Sequence, residues 1–262
     1  MNRLYVGLLV LICLNGYCQP NSDSAITKAR VDKYYVRSYI EDYRDILRYP
    51  FIPSVKKYVG AGVYAGTMYL LLSQYDENIQ IFSQRQRSPF TNNLSKYVFE
   101  PMGSGLYPLI AIASFYAQGV LWDNQKSKKV AMNCVKSFII ANSFAQVGKY
   151  AFSRQRPLVS PPDGNRWFLG NQNDSFFSGH TTTAFSIATV IAEEYKETVW
   201  IPIASYTLAT FAGLSRLHDN KHWASDILTG ALVGYVTGKL IVHKNNWGIT
   251  IVPGIMAVRS KK

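Results

Sequence analysis

Apolar residues along this chain gather in stretches of helical length rather than alternating with polar ones. Six stretches, weakly charged and rich in Gly, Ala, Ser and Thr, run from Tyr58 to Tyr75, Gly103 to Trp122, Val130 to Tyr150, Ser178 to Glu194, Val199 to Arg216 and His222 to His243. Several exceed strand length, and none keeps the period of two that marks a half-buried strand, so they predict helices. The expected fold class is all-α: one antiparallel helical bundle of about six core helices over residues 58–243, without an internal sequence repeat. The connections Asp123–Lys129 and Glu194–Thr198 are short, whereas Asp76–Met102 and Ala151–Phe177 read as long loops. Long loops in a compact bundle usually carry function.

The flanking segments read differently. Residues 19–57 begin polar and loose, and then Tyr35, Tyr39, Tyr43 and Leu47 recur every fourth residue between charges. That spacing predicts one amphipathic helix over Val31–Arg48, packed on the core, which Pro50 and Pro53 end. Residues 1–18 carry one early cation, Arg3, an eleven-residue apolar run from Leu4 to Leu14, and a small or polar stretch ending at Cys18. Such a run rises only about 16 Å as a helix against a bilayer core of roughly 30 Å, so it reads as a signal peptide rather than an anchor. Residues 244–262 form a tail, interrupted by Pro253 and Gly254, with room for a short strand.

Composition narrows the partners. With 48% hydrophobic and 17% charged residues in 262, the chain lies between a soluble enzyme and a polytopic membrane protein. A net charge of +12 favours anionic partners, but the cations are scattered and no aromatic-plus-basic signature of nucleic-acid binding accompanies them. Of three cysteines only Cys134 survives leader removal near Cys18, so no intramolecular disulfide is expected.

Most of the residues able to do chemistry lie in three clusters: Lys149-x6-Arg156-Pro157, Ser178-Gly179-His180, and Ser215-Arg216-x5-His222-x3-Asp226. If the helices alternate in direction, the end of the third, the start of the fourth, the end of the fifth and the start of the sixth share one end of the bundle. The clusters occupy those positions. Lys149, Arg156 and Arg216 then supply three cations without obvious carboxylate partners, and Ser178 with Gly179 opens a helix whose first N–H groups favour an anion. A tetrahedral oxyanion suits this set. His222 and Asp226 are one helical turn apart, so the carboxylate can accept from one ring nitrogen and leave the other to attack or to take a proton. His180 stands as a second, independent acid. A metal alternative arises because His218, His222 and Asp226 fall at i, i+4 and i+8, but it leaves the three cations unexplained. Asp219 and Lys221 read as solvated loop residues.

The clusters resemble, in order and internal spacing, the three signature motifs of the type 2 phosphatidic acid phosphatase and vanadium haloperoxidase superfamily, over Lys149 to Asp226. The resemblance implies a phosphoric ester hydrolase of acid phosphatase/haloperoxidase-like fold that needs no metal cofactor. His222 would be the nucleophile that forms a phosphohistidine, Asp226 would orient it, and His180 would protonate the leaving oxygen. Lys149, Arg156, Ser178, Gly179 and Arg216 would bind the phosphoryl oxygens. One departure is Phe177, where the family usually has Pro. The resemblance also implies a phosphorylated lipid as substrate: phosphatidate, phosphatidylglycerophosphate, a polyprenyl pyrophosphate or a lipid A phosphate, with Trp167, Phe168 and Leu169 placed to cover an apolar tail. The alternatives are a soluble periplasmic non-specific acid phosphatase, a vanadium-dependent haloperoxidase holding vanadate in the same pocket, and a non-catalytic anion-binding protein.

Lipid phosphatases of the family are six-helix membrane proteins with an outward-facing site, yet a cleaved leader and crossings that begin at Tyr58 would put the clusters on the cytoplasmic side. Lys136 and Lys239 stand within two of the apolar stretches, where a lipid-facing charge costs about 2.5 to 3.5 kcal/mol. The reading that fits best is an exported, membrane-associated bundle of the bacterial cell envelope with its site on the periplasmic side.

Overall fold

The computed structural model describes residues 31–158, 167–170 and 173–246, with side chains as far as Lys244. The leader and the C-terminal tail expected above lie outside the described residues. Within them every regular element is a helix.

Helix α1, Lys33–Arg48, is started by the Asp32 carboxylate, which accepts from the N–H groups of Tyr34 and Tyr35. The polar stretch after α2, Val55–Leu70, is not the long loop that its composition suggested. A wide turn over Leu71–Tyr75 carries the chain into α3, Asp76–Arg85. Ser88 and Thr91 then cap each other in a reciprocal box that starts α4, Pro89–Leu94, and further helical turns run to Met102. Next come α5, Leu106–Leu121, and α6, Gln125–Phe152, followed by α7, Gly179–Glu194, α8, Trp200–His218, and α9, Ala224–Asn246.

Helix α7 is central and packs on α6, α8 and α9. Its approach to α9 is close because α9 offers glycines at successive turns. A Cβ on Gly230 would lie 2.6 Å from the carbonyl oxygen of Ser178, one on Gly234 2.6 Å from that of Thr182, and one on Gly238 2.8 Å from that of Ser186. The facing side of α7 is correspondingly small and polar, with Thr181, Thr182, Ser186 and Thr189 fully buried. The larger apolar core lies towards the other end of α7, where Phe115, Val130, Cys134, Val190, Ile191 and Val242 meet. A second cluster of Met68, Ala145, Phe176 and Phe177 supports the loop before α7. Phe177, standing where the family motif has Pro, is accommodated by Gly148, whose missing Cβ would lie 2.6 Å from its ring.

Helix α1 packs as its stripe predicted: the Tyr35 hydroxyl donates to the Met132 carbonyl at 2.9 Å, and the Tyr43 and Ser143 hydroxyls meet at 2.6 Å. Lys136, the charge in the third apolar stretch, is buried against Asp42 at 2.9 Å and Ser38 at 2.7 Å, so it faces a partner on α1. Lys239 stays two-fifths exposed beside Glu193. Among the described residues one helix segment, Ala224–Lys244, is long and apolar enough to cross a membrane, and half of it is buried inside the bundle. Large apolar side chains are exposed on many helices, among them Tyr58, Val63, Leu109, Leu121, Trp122, Val147, Tyr150 and Trp200.

Candidate active site

The three sequence clusters meet at one end of the bundle. Lys149 lies in the last turn of α6, which stops where Ser153 turns into the left-handed region at φ 39°. Beyond it the chain returns on itself, as Ser175 N–H donates to the Arg154 carbonyl at 3.0 Å. At the far corner, Lys221 N–H donates to the Arg216 carbonyl at 2.9 Å, which folds the loop after α8 back so that His222 sits beside Arg216. Ser178 N–H donates to the Asp226 carbonyl at 3.1 Å, joining the start of α7 to the start of α9.

The N-terminus of α7 is capped by Ser178, whose hydroxyl oxygen accepts from Thr181 N–H and from the Thr181 hydroxyl. Because Ser178 is fully buried, the helix offers an anion chiefly its first backbone N–H groups, those of Gly179 and His180. Gly179 fits that use, since a Cβ there would have only Lys149 Nζ at 3.8 Å and Asn142 Oδ1 at 3.9 Å as neighbours.

His222 is almost fully buried, and its Nδ1 lies 2.8 Å from the Ser175 carbonyl oxygen. A carbonyl can only accept, so Nδ1 carries the hydrogen and Nε2 carries the lone pair. The direct partner of the ring is therefore this carbonyl, not the carboxylate that the spacing suggested: Asp226 Oδ2 is 3.7 Å from Nδ1. Asp226 acts one step back. It accepts from the Ser175 hydroxyl, from Trp223 N–H at 2.9 Å and from Arg154 Nη1, and so fixes the Ser175 segment that holds the imidazole.

Arg154 was not among the residues singled out from the sequence. It is fully buried, bonded through Nη1 to Asp226 and Ser225 and through Nη2 to Asp76 at 2.7 Å, with Trp167 and Trp223 rings beside its guanidinium. Trp167 is thus committed to packing, while Phe168 and Leu169 remain exposed.

The cradle cations are paired, contrary to the expectation of three cations without carboxylates. Arg156 donates from Nε and Nη2 to the two oxygens of Asp174 at 2.6 and 2.9 Å, and Lys149 lies 3.6 Å from the same group. Arg216 donates to Asp219 at 2.8 Å and lies 3.7 Å from Glu100, which also sits 3.3 Å from His180 Nε2. Asp219 is therefore a partner of Arg216 and Ser95, not a solvated loop residue.

Electrostatics bind the set together. Burial, followed by the positive charges of Arg216, His222, Lys149 and Arg156, pushes His180 down to about 3. His222 is also lowered, by burial first and by Arg156 and Lys149, with Asp226 opposing. Both imidazoles thus feel the same cations. The metal alternative fails on geometry: His218 ends α8 with Nε2 3.0 Å from Asn92, His222 lies in the loop, and Asp226 belongs to the next helix.

Known proteins share parts of this sequence and its fold. The chain is 36% identical over 138 residues to a lipid A 1-phosphatase of Porphyromonas gingivalis, a match that takes in 52% of this chain but only 28% of that protein. It is 25% identical over 179 residues to an undecaprenyl-diphosphatase of Sulfolobus acidocaldarius, covering 64% of this chain and 82% of the relative. The fold is shared with a transmembrane PAP2 type phosphatidylglycerolphosphate phosphatase of Bacillus subtilis, at a TM-score of 0.52 and 18% identity over 84% of this chain and all of that one. Residues 131–249, which hold all three clusters, match the PAP2 superfamily.

Proposed function

We propose that this protein is a metal-independent phosphatase of the bacterial cell envelope that removes phosphate from a lipid phosphomonoester or diphosphate through a phosphohistidine on His222. The observation that carries this reading is the His222 anchorage. Nδ1–H is held on the Ser175 carbonyl, which leaves Nε2 as the lone-pair nitrogen of a ring set among Lys149, Arg156 and His180.

In the first step Nε2 forms a bond to phosphorus while the bond to the leaving oxygen breaks, and His180 gives that oxygen its proton. Lys149, Arg156, Arg216 and the first N–H groups of α7 take up charge on the equatorial oxygens. Burial holds His180 low first and the cations second; a dianionic phosphoryl group offsets the cations and so favours the protonated ring that must deliver the proton. In the second step water, losing its proton to His180, attacks phosphorus and frees Nε2.

The apolar rim favours a lipid over a soluble ester. Val147 and Tyr150 are exposed on the helix that carries Lys149, and Phe168 and Leu169 are exposed on a segment whose N–H groups donate to the Phe152 and Ser153 carbonyls at the end of that helix; an acyl or prenyl chain would lie there. The two relatives act on lipid A and undecaprenyl diphosphate by their names, which supports the same class here. Export rests on the leader-like run at Leu4–Leu14.

The test is a 32P-labelled enzyme intermediate, stable to base and labile to acid, formed from labelled lipid phosphate and absent from His222→Ala. Turnover without such an intermediate, or with label retained in that variant, would overturn the reading.

A further inference from the structure

The site holds more carboxylates than phosphoryl transfer needs. Asp174 takes both edge donors of Arg156, Nε at 2.6 Å and Nη2 at 2.9 Å, and lies 3.6 Å from Lys149. These are two of the side chains that the proposed function assigns to the phosphoryl oxygens. A guanidinium fork fits a carboxylate and a phosphate in the same two-point way, so the two anions compete for one set of N–H groups.

The placement of Asp174 is built rather than incidental. Its neighbour Ser175 is fully buried, with its N–H on Arg154, its hydroxyl on Asp226 and its carbonyl on His222. The backbone beside Asp174 is therefore tied to the nucleophile itself. The Asp174 side chain is 47% exposed, so it is free to rotate out to water while that backbone stays in place. Arg156 is itself 27% exposed, so breaking this pair strands no charge in the core. Although burial raises the Asp174 carboxyl, Arg156 and then Lys149 and His222 outweigh it, and the group stays ionised and able to compete at neutral pH.

We infer that Asp174 is a resident anion of the cradle, a side chain that competes with phosphate for Arg156 and Lys149 and thereby sets how tightly phosphate is held. This rests on the proposed function and deepens it. A competitor of this kind weakens the hold on the free phosphate product more than on the transition state, in which the covalent bond to His222 keeps the phosphoryl group in place. It therefore favours release over product inhibition. Glu100, near Arg216 and His180, faces the other side of the same cradle and would act in the same sense at longer range.

The experiment is calorimetric titration of the detergent-solubilised full chain with inorganic phosphate, comparing wild type with Asp174→Asn. Asparagine keeps the shape and removes the charge. The pair is open to water, so loss of Asp174 as a competitor should tighten phosphate binding by about two- to fivefold. Orthovanadate, an independent phosphate mimic, should show the same direction. A wild type that binds phosphate, with Asp174→Asn binding equally or less tightly, would overturn this inference alone, because Asp174 would then be orienting Arg156 rather than competing for it. Failure of both proteins to bind phosphate or vanadate at millimolar concentrations would overturn the proposed function along with it.

Discussion

Replacing Arg154 by Met tests whether His222, the proposed nucleophile, is organised from behind by a residue that does not face the cradle. The guanidinium and its two carboxylates, Asp226 and Asp76, are each at most 2% exposed. Methionine fills a similar volume but leaves two buried carboxylates without their cation. Breaking a buried pair in this way costs about 3–5 kcal/mol, a large share of the roughly 5–15 kcal/mol that holds an ordinary domain together. Adding Asp76→Asn removes one orphaned charge, so the double variant should regain more than about 1 kcal/mol over Arg154→Met, a coupling read from a double-mutant cycle of denaturant unfolding. The double variant also has a catalytic signature. Without Arg154, the charge of Asp226 acts more fully on His222, 3.7 Å away, and raises the ring's affinity for protons. As the proposed nucleophile His222 must be neutral, so a raised value means the neutral form is lost at higher pH, and the acidic limb of kcat/KM moves up. Arg154→Lys should restore the limb only in part, since an ammonium cannot serve Asp226, Ser225 and Asp76 in the fork geometry seen here. An unmoved acidic limb, with stability within about 1 kcal/mol of wild type for Arg154→Met, would refute the reasoning.

Two further outcomes follow from the geometry. Gly230→Ala puts a Cβ 2.6 Å from the Ser178 carbonyl, a backbone atom that cannot swing aside, so α9 and the start of α7 must separate; a loss of about 1–3 kcal/mol in unfolding free energy and a fall in kcat are expected, and wild-type values for both would show the contact to be slack. Because the cradle cations help hold His180 down at about 3, phosphate binding should raise its value and take up a proton near pH 6. Calorimetry in buffers of different ionisation enthalpy should register that uptake in wild type but not in His180→Ala, and affinity should weaken as pH rises; equal enthalpies across buffers in wild type would contradict it.

The parts of this protein that were legible in its sequence are those coded within one segment. The six apolar stretches appear as helices, and the three motifs meet because alternating helices bring their ends together. Asp76–Met102 has the polarity of a loop, but Ser88, Pro89 and Thr91 form a helix start that is visible in the letters. Asp219, three residues after Arg216, was likewise within reach of a spacing argument. Arg154 was not. Its position inside the Lys149–Arg156 motif marks it as near the site, but its partner Asp76 is 78 residues away, and no periodicity relates them. The same holds for Glu100, which lies 80 residues before His180.

Burial divides the ion pairs of the site into two kinds, and the division bears on how a basic chain can hold a precise anion site. Arg154, with Asp226 and Asp76, is sealed from water, so its charges are fixed partners whose separation would be costly. Arg156 with Asp174 is open to water on both sides, where an ion pair is worth little net and a better anion displaces the weaker one. The sealed pair touches the supports of His222, and the open pair holds the donors proposed for the phosphoryl oxygens. A site made only of open pairs would let the imidazole drift, and one made only of sealed pairs would have no donors to lend. The proposed exchange of anions at Arg156 would therefore leave His222 undisturbed, because the one segment common to both, Asp174–Ser175, divides its duties between an exposed carboxylate and a buried serine.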